Sequence, residues 1–205
     1  MLLQTMPTEK VKKIVITGTM GSGKSFVCNI LKEKGYPILD LDQVAAKIRE
    51  KENVKQEIIA CFGEMIVNEK KEIQNDKLSA LIFKDSTKRH QLEAILHQRV
   101  YDEMLFFFES HFFSKMVIVE MAMVFEFGWE NYFDSIWLVS SEDNIAMDRL
   151  THKRGYTKEK AKAILHTQIS NIDKRNRADY VIMNNEDIYA VEKQLQIILE
   201  KEVSC

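Results

Sequence analysis

A chain of 205 residues with 45% hydrophobic and 29% charged side chains has an ordinary soluble composition, and is long enough for one α/β domain with a sizeable core and a small insertion. A formal net charge of −2 removes the electrostatic case for nucleic acid as a bulk partner, and no apolar run approaches the length of a membrane span. Three widely spaced cysteines, Cys28, Cys61 and Cys205, argue against a disulfide framework or a metal cluster and suit a reducing cytoplasm, while the polar lead-in from Met1 to Lys10 is unlike a signal peptide.

Lys12-Lys13-Ile14-Val15-Ile16-Thr17 is a β-branched run and predicts a buried strand. Gly18-Thr19-Met20-Gly21-Ser22-Gly23-Lys24-Ser25 follows it and fits G-x-x-x-x-G-K-[ST] at every fixed position. Phe26 to Lys34 then spaces its apolar residues like a helix, with Gly35 as the stop. In this strand–loop–helix setting the glycines allow a tight loop with inward N–H groups, and the helix N-terminus adds donors and partial positive charge. Thr19, Met20, Gly21, Ser22, Gly23, Lys24, Ser25 and Phe26 are the candidate cradle for a nucleotide polyphosphate. Lys24 is placed to reach the β/γ-phosphates, and the Ser25 hydroxyl to ligate Mg²⁺.

Pro37-Ile38-Leu39 predicts a second strand, closing on Asp40-Leu41-Asp42 ahead of a helical pattern from Gln43 to Lys51. Ligands in open α/β sheets bind beyond the carboxyl ends of strands, and alternation along a strand would turn both aspartates to one face. Asp42 is read as the chemical group and Asp40 as a cap or support. From Asn53 to His111 the chain is mainly helical, with apolar faces at Glu57 to Phe62 (ended by Gly63), Asp76 to Phe83, and Ser86 to Met104. An excursion of that length exceeds an ordinary crossover and predicts an inserted subdomain, about residues 53–113, able to cover a second substrate. Phe106, Phe107, Phe108, Phe112 and Phe113 read as core.

Met116 to Val119 is the third predicted strand and closes on Glu120. Glu120 and Glu126 are candidates for the carboxylate that helps hold Mg²⁺ at such a strand end. After a fourth strand, Ser135 to Val139, an amphipathic helix runs through Met147, Arg149 and Leu150 to Arg154. Gly155 breaks it, and Thr157 opens a capped helix. Arg149, Lys153 and Arg154 make about residues 142–170 a candidate lid, since phosphoryl transfer needs cations and a helix–Gly–helix layout permits hinged closure. A second basic cluster, Lys174, Arg175 and Arg177, precedes a fifth strand, Tyr180 to Met183, which ends at Asn184-Asn185; Ile188 to Val203 is a closing helix. Five strands alternating with helices predict an α/β fold. It is a doubly wound, mostly parallel sheet in a single P-loop domain, whose nucleotide-binding core is about residues 12–52 and 114–205.

Taken in order, these residues resemble the dephospho-CoA kinase family, P-loop kinases related in fold to the nucleoside monophosphate kinases. The resemblance runs from about Ile14 to about Asn185. It rests on the loop, on the D-x-D at Asp40 to Asp42, on Phe62-Gly63 and Leu92 to His97, and on Phe125-Glu126. It continues through Arg149-Leu150, Lys153-Arg154-Gly155 and Gln168, and closes on Lys174 to Ile182 with Asn184. The chain departs from the family's usual residues at Phe26, Lys77, Gln98, Ala122-Met123-Val124 and Ala146. The resemblance implies transfer of the γ-phosphoryl of ATP, with Mg²⁺, to the 3′-hydroxyl of the ribose in dephospho-CoA. It implies that Asp42 accepts or orients the proton of the attacking hydroxyl, and that Arg149 and Arg154 stabilise the transferring group. Arg175 and Arg177 would contact the nucleotide, and His97 and Glu126 would shape the acceptor site. ATP and dephospho-CoA are then the partners, with neither nucleic acid nor membrane expected, and no feature specifies an oligomeric state. Two rivals are a kinase for another small acceptor, such as a nucleoside monophosphate, and a nucleotide-binding regulatory protein without catalysis.

Overall fold

A computed structural model of the chain describes residues 10–166 and 168–204; the lead-in before Lys10 and Cys205 lie outside the described residues. Five strands, β1 (Lys12–Thr17), β2 (Ile38–Asp40), β3 (Met116–Glu120), β4 (Ser135–Ser140) and β5 (Tyr180–Met183), form one sheet in the order β2-β3-β1-β4-β5. Every strand pairing within this sheet is parallel, so the expectation of a mostly parallel sheet tightens to a wholly parallel one. Such a sheet is covered on both faces, which is why β3 and β4 bury nearly every residue instead of alternating. The chain goes from β1 to β2 and β3 on one side, then crosses to β4 and β5 on the other. The winding therefore reverses at the carboxyl end of β1, the crevice where open sheets bind ligands.

Helix α1 (Lys24–Glu33) buries Val27, Cys28, Ile30 and Leu31 against the sheet residues Ile14, Ile16, Ile118, Trp137 and Val139. The C-terminal helix (Ile188–Ser204) adds Val191, Leu195 and Ile198 to the same core. Each fully buried aliphatic side chain of this kind contributes about 1.5–3 kcal/mol relative to exposure. Trp137 keeps its polar tip satisfied inside that core, its indole N–H donating to Ser135 Oγ at 3.1 Å and to Glu202 Oε1 at 3.2 Å.

The chain divides into two compact units, one made of the described residues of Met1–Asp40 and Ser110–Cys205, the other of Leu41–Glu109. The second is helical: α2 (Leu41–Arg49), α3 (Glu52–Phe62), α4 (Asn75–Lys84) and the long α5 (Ser86–Ser110). Gly63 ends α3 at φ 79°, a left-handed conformation that favours glycine. Helix α2 starts immediately after β2, so Asp42 sits in a helical first turn, and the extended alternation expected for Asp40 and Asp42 does not apply. Of the five phenylalanines read as core, Phe107 and Phe108 are buried, but Phe106, Phe112 and Phe113 are 67%, 47% and 59% exposed. Consecutive residues on a helix point about 100° apart, so Phe106 to Phe108 cannot all face inward.

Between β4 and β5 lie α6 (Asp143–Asp148), α7 (Lys158–His166) and α8 (Asn171–Arg175). The expected continuous helix to Arg154 is interrupted: Arg149–Lys153 forms a wider π turn. The cap expected at Thr157 is present, its Oγ1 accepting from the Lys160 N–H at 3.2 Å.

Candidate active site

The phosphate-loop motif leaves the end of β1 and enters α1, with Gly23 as the residue before the helix. Gly21 and Gly23 hold φ of 88° and 94°, and a Cβ on Gly23 would lie 2.0 Å from Asn184 Nδ2, so only glycine fits there. Lys24 is buried. Its ammonium donates to Gly18 O at 3.0 Å and Thr19 O at 3.4 Å, across the loop's own backbone. Three amides counted among the candidate cradle have protein partners. Met20 N–H donates to Gln168 Oε1 at 2.9 Å. Ser22 N–H closes a turn onto Thr19 O at 3.2 Å, and Phe26 N–H donates to Gly23 O at 3.1 Å. The concave side of the loop is thus narrower in donors than the motif alone suggests.

At the carboxyl end of β3, Glu120 Oε1 accepts a 2.7 Å hydrogen bond from Ser25 Oγ. Register places Asp40 opposite Glu120 on the neighbouring strand, so two carboxylates and a hydroxyl gather in one crevice. Burial raises the Glu120 pKa above the usual carboxylate value. Asp40 adds to the rise, while the Ser25 hydrogen bond and the Lys24 charge oppose it. Cys28, one turn along α1, is buried beneath them. Burial first, then the Glu120 charge, pushes its thiol far up, so it is an inert core residue.

Arg149, at the start of the π turn, reaches the back of the loop. Its guanidinium donates to Ser22 O at 3.2 Å, to Gly21 O at 3.4 Å and to Asn184 O at 2.9 Å. Asn184, immediately after β5, donates from Nδ2 to Ser22 O at 2.9 Å. Arg154, at the other end of the π turn, is exposed. Arg175 is exposed on α8, whereas Arg177 pairs with Glu130 and lies over the Phe125 ring, 4.3 Å from its centroid.

Glu126 has an internal partner that the sequence pattern conceals. Its Oε1 lies 3.1 Å from Lys174 Nζ and accepts the Ile169 N–H at 2.9 Å. Lys174 is fully buried and also donates to Ala122 O at 2.7 Å, a carbonyl that accepts from Thr17 Oγ1 at 3.2 Å as well. Burial lowers the lysine's pKa, and the Glu126 charge opposes that. Glu126 and Lys174 therefore pin the segment after β3, which carries the departures at Ala122, Met123 and Val124. Lys174, Asn184 and Gln168 were each visible in the C-terminal pattern but had no role there, because every partner is remote in sequence.

Two expected residues lie in the helical unit. Asp42 is exposed in the first turn of α2, where a negative charge suits the helix N-terminus. His97 is exposed on α5.

A family model described as dephospho-CoA kinase matches residues 13–190. The dephospho-CoA kinase of Listeria innocua is 35% identical over 198 residues, covering 94% of this chain and 98% of that protein. That of Geobacillus kaustophilus is 35% identical over 191 residues, covering 92% and 95%. Among solved structures, TT1252 from Thermus thermophilus superposes with a TM-score of 0.84 at 32% identity, over 94% of this chain and 98% of that one. A shikimate kinase from Bacteroides thetaiotaomicron, at TM-score 0.51 and 16% identity, shares the fold over 92% of this chain and 97% of its own.

Proposed function

The chain belongs to the dephospho-CoA kinase family, and from that premise we propose that it transfers the γ-phosphoryl group of ATP to the 3′-hydroxyl of the ribose of dephospho-CoA. The products are CoA and ADP, and the reaction is the last step of CoA biosynthesis. The observation that carries the reading is the pairing of Ser25 with Glu120 beside Lys24, at the switch point of a wholly parallel sheet. Phosphoryl transfer asks a protein for positioning and charge neutralisation more than for covalent chemistry. This crevice supplies both.

In this reading the loop amides and the α1 N-terminus hold the polyphosphate of ATP, and Lys24 turns from its loop carbonyls to the β/γ-oxygens. The donor set fits Mg²⁺: Ser25 offers a hydroxyl, and the Glu120 carboxylate accepting from it orients that oxygen or a bound water. The cation supplies neutralisation of charge on the phosphate oxygens. Asp42 takes or orients the proton of the acceptor hydroxyl. Arg154, exposed at the end of a π turn, serves the transferring group from the lid, about residues 142–170. Arg175 and Arg177 contribute to nucleotide contacts, Arg177 from its seat on Phe125. The helical insertion carries the acceptor, with His97 on α5 and Glu126 shaping its site. No described helix is long and apolar enough to cross a membrane, and the reading assigns the reaction to the cytoplasm.

A coupled ADP-release assay with ATP, Mg²⁺ and a panel of acceptors tests this. Turnover dependent on dephospho-CoA alone is the expected result. Turnover with nucleoside monophosphates alone selects the other-acceptor kinase, and ATP binding without turnover selects a regulatory protein.

A further inference from the structure

We infer that Asn184 and Arg149 form a clamp that orients a peptide of the phosphate loop, making Asn184 a positioning residue for polyphosphate binding. The inference rests on the reading of Gly18 to Ser25 as the nucleotide site. Asn184 is 2% exposed and held by its own backbone, its N–H donating to Ser140 O at 2.8 Å where β5 meets β4. Its Nδ2 donates to Ser22 O at 2.9 Å, and Arg149 donates to the same carbonyl at 3.2 Å. Arg149 also grips Asn184 O at 2.9 Å, so the two residues brace each other as well as the loop.

A trans peptide is planar, with its C=O and N–H on opposite sides. Two donors fixing Ser22 O toward β5 therefore fix the Gly23 N–H on the side away from β5. That amide stands at the N-terminus of α1, ahead of Lys24. The clamp thus prepays the ordering of a donor that would otherwise swing with a glycine's wide φ/ψ freedom. The space is matched to it, since any side chain on Gly23 would meet Asn184 Nδ2 at 2.0 Å. Arg149 also differs here from Arg154: its fork is spent on backbone carbonyls of the loop.

The test measures binding of inorganic tripolyphosphate with Mg²⁺, beside Mg-ATP, by calorimetry on wild type, Asn184→Asp and Asn184→Ala. Asn184→Asp keeps the shape, loses the donor and adds a negative charge, whereas Asn184→Ala loses the donor without adding one. Both ligands are expected to weaken together, roughly five- to hundredfold. ATP affinity falling with tripolyphosphate unchanged would make Asn184 a nucleobase contact and overturn the inference, as would unchanged affinity for both. A second readout needs no variant: in ¹⁵N-labelled wild type the Gly23 amide resonance is expected to move on adding tripolyphosphate, and an unmoved resonance overturns the inference. Wild type that binds tripolyphosphate but never phosphorylates dephospho-CoA would sink the proposed activity and leave the clamp standing.

Discussion

Ser25 and Glu120 meet through a 2.7 Å hydrogen bond, hydroxyl to carboxylate, at the end of a strand that is buried along its whole length. The carboxylate's pKa is raised, chiefly by burial. A carboxyl whose folded value lies above its unfolded one binds more protons folded than unfolded between the two values. Its contribution to stability is present below the unfolded value and is lost as pH rises through the folded one. Glu120→Gln removes that loss. The variant is expected to melt higher than wild type at pH 7, with the gap closing below the unfolded carboxylate range. Its turnover is expected to fall at least about tenfold, with a higher Mg²⁺ requirement. Melts across pH and a Mg²⁺ titration of ADP release check both. A variant less stable than wild type at pH 7, with unchanged Mg²⁺ demand, contradicts this.

Lys24→Met deletes the ammonium that the loop holds through Gly18 O and Thr19 O. Turnover is expected to drop by roughly a hundred- to a thousandfold, as for loss of one preorganised donor at a developing charge. The melting temperature is expected to shift by only a few degrees, since the methylene stem remains buried. Steady-state rates and a thermal melt read the two separately, and near-normal turnover removes the residue from the mechanism.

Asp42→Asn keeps size and exposure and removes the carboxylate proposed as the base. Turnover with dephospho-CoA is expected to fall roughly 10²–10⁴-fold, with ATP affinity within about twofold of wild type. Equal losses in rate and ATP affinity would show that Asp42 binds nucleotide instead.

Arg149 and Arg154 stand at opposite ends of one π turn and are expected to fail differently. Arg149→Ala removes a donor from three backbone carbonyls, of which Ser22 O keeps Asn184 Nδ2, and lowers both the melting temperature and ATP affinity. Arg154→Ala leaves the melt unchanged and cuts turnover by roughly a thousandfold. Identical behaviour of the two variants in melts and kinetics contradicts the division.

Lys174→Met leaves the carboxylate of Glu126 without its partner, an uncompensated charge expected to cost about 3–5 kcal/mol. Adding Glu126→Gln is expected to restore most of that. Denaturant titrations of the two single variants and the double variant give the coupling, and strictly additive losses would mean the pair is not coupled.

The sheet was legible because a strand buried on both faces must be written as a continuous β-branched or apolar run, as Ile14 to Ile16 and Met116 to Val119 are. The phosphate loop was legible because its fold demands glycines where φ is positive, at Gly21 and Gly23. The site's second layer was not. Asn184 and Ser22 are 162 positions apart, and no local pattern announces their bond. Lys174 sits in a basic run that by default reads as solvated, and only the fold reveals that it is buried on Glu126. Arg149 stands in a basic segment read as a lid, and its bonds to Gly21 O and Ser22 O, 128 and 127 positions away, leave no local signal either.

The proposed reaction is defined by its acceptor atom, the ribose 3′-oxygen of dephospho-CoA. Phosphorus NMR of the product formed from ATP, Mg²⁺ and dephospho-CoA tests it most directly. One new 3′-phosphomonoester on the ribose is expected for each ADP released. ADP formed at the same rate without dephospho-CoA, or phosphate delivered to any other position, would contradict it.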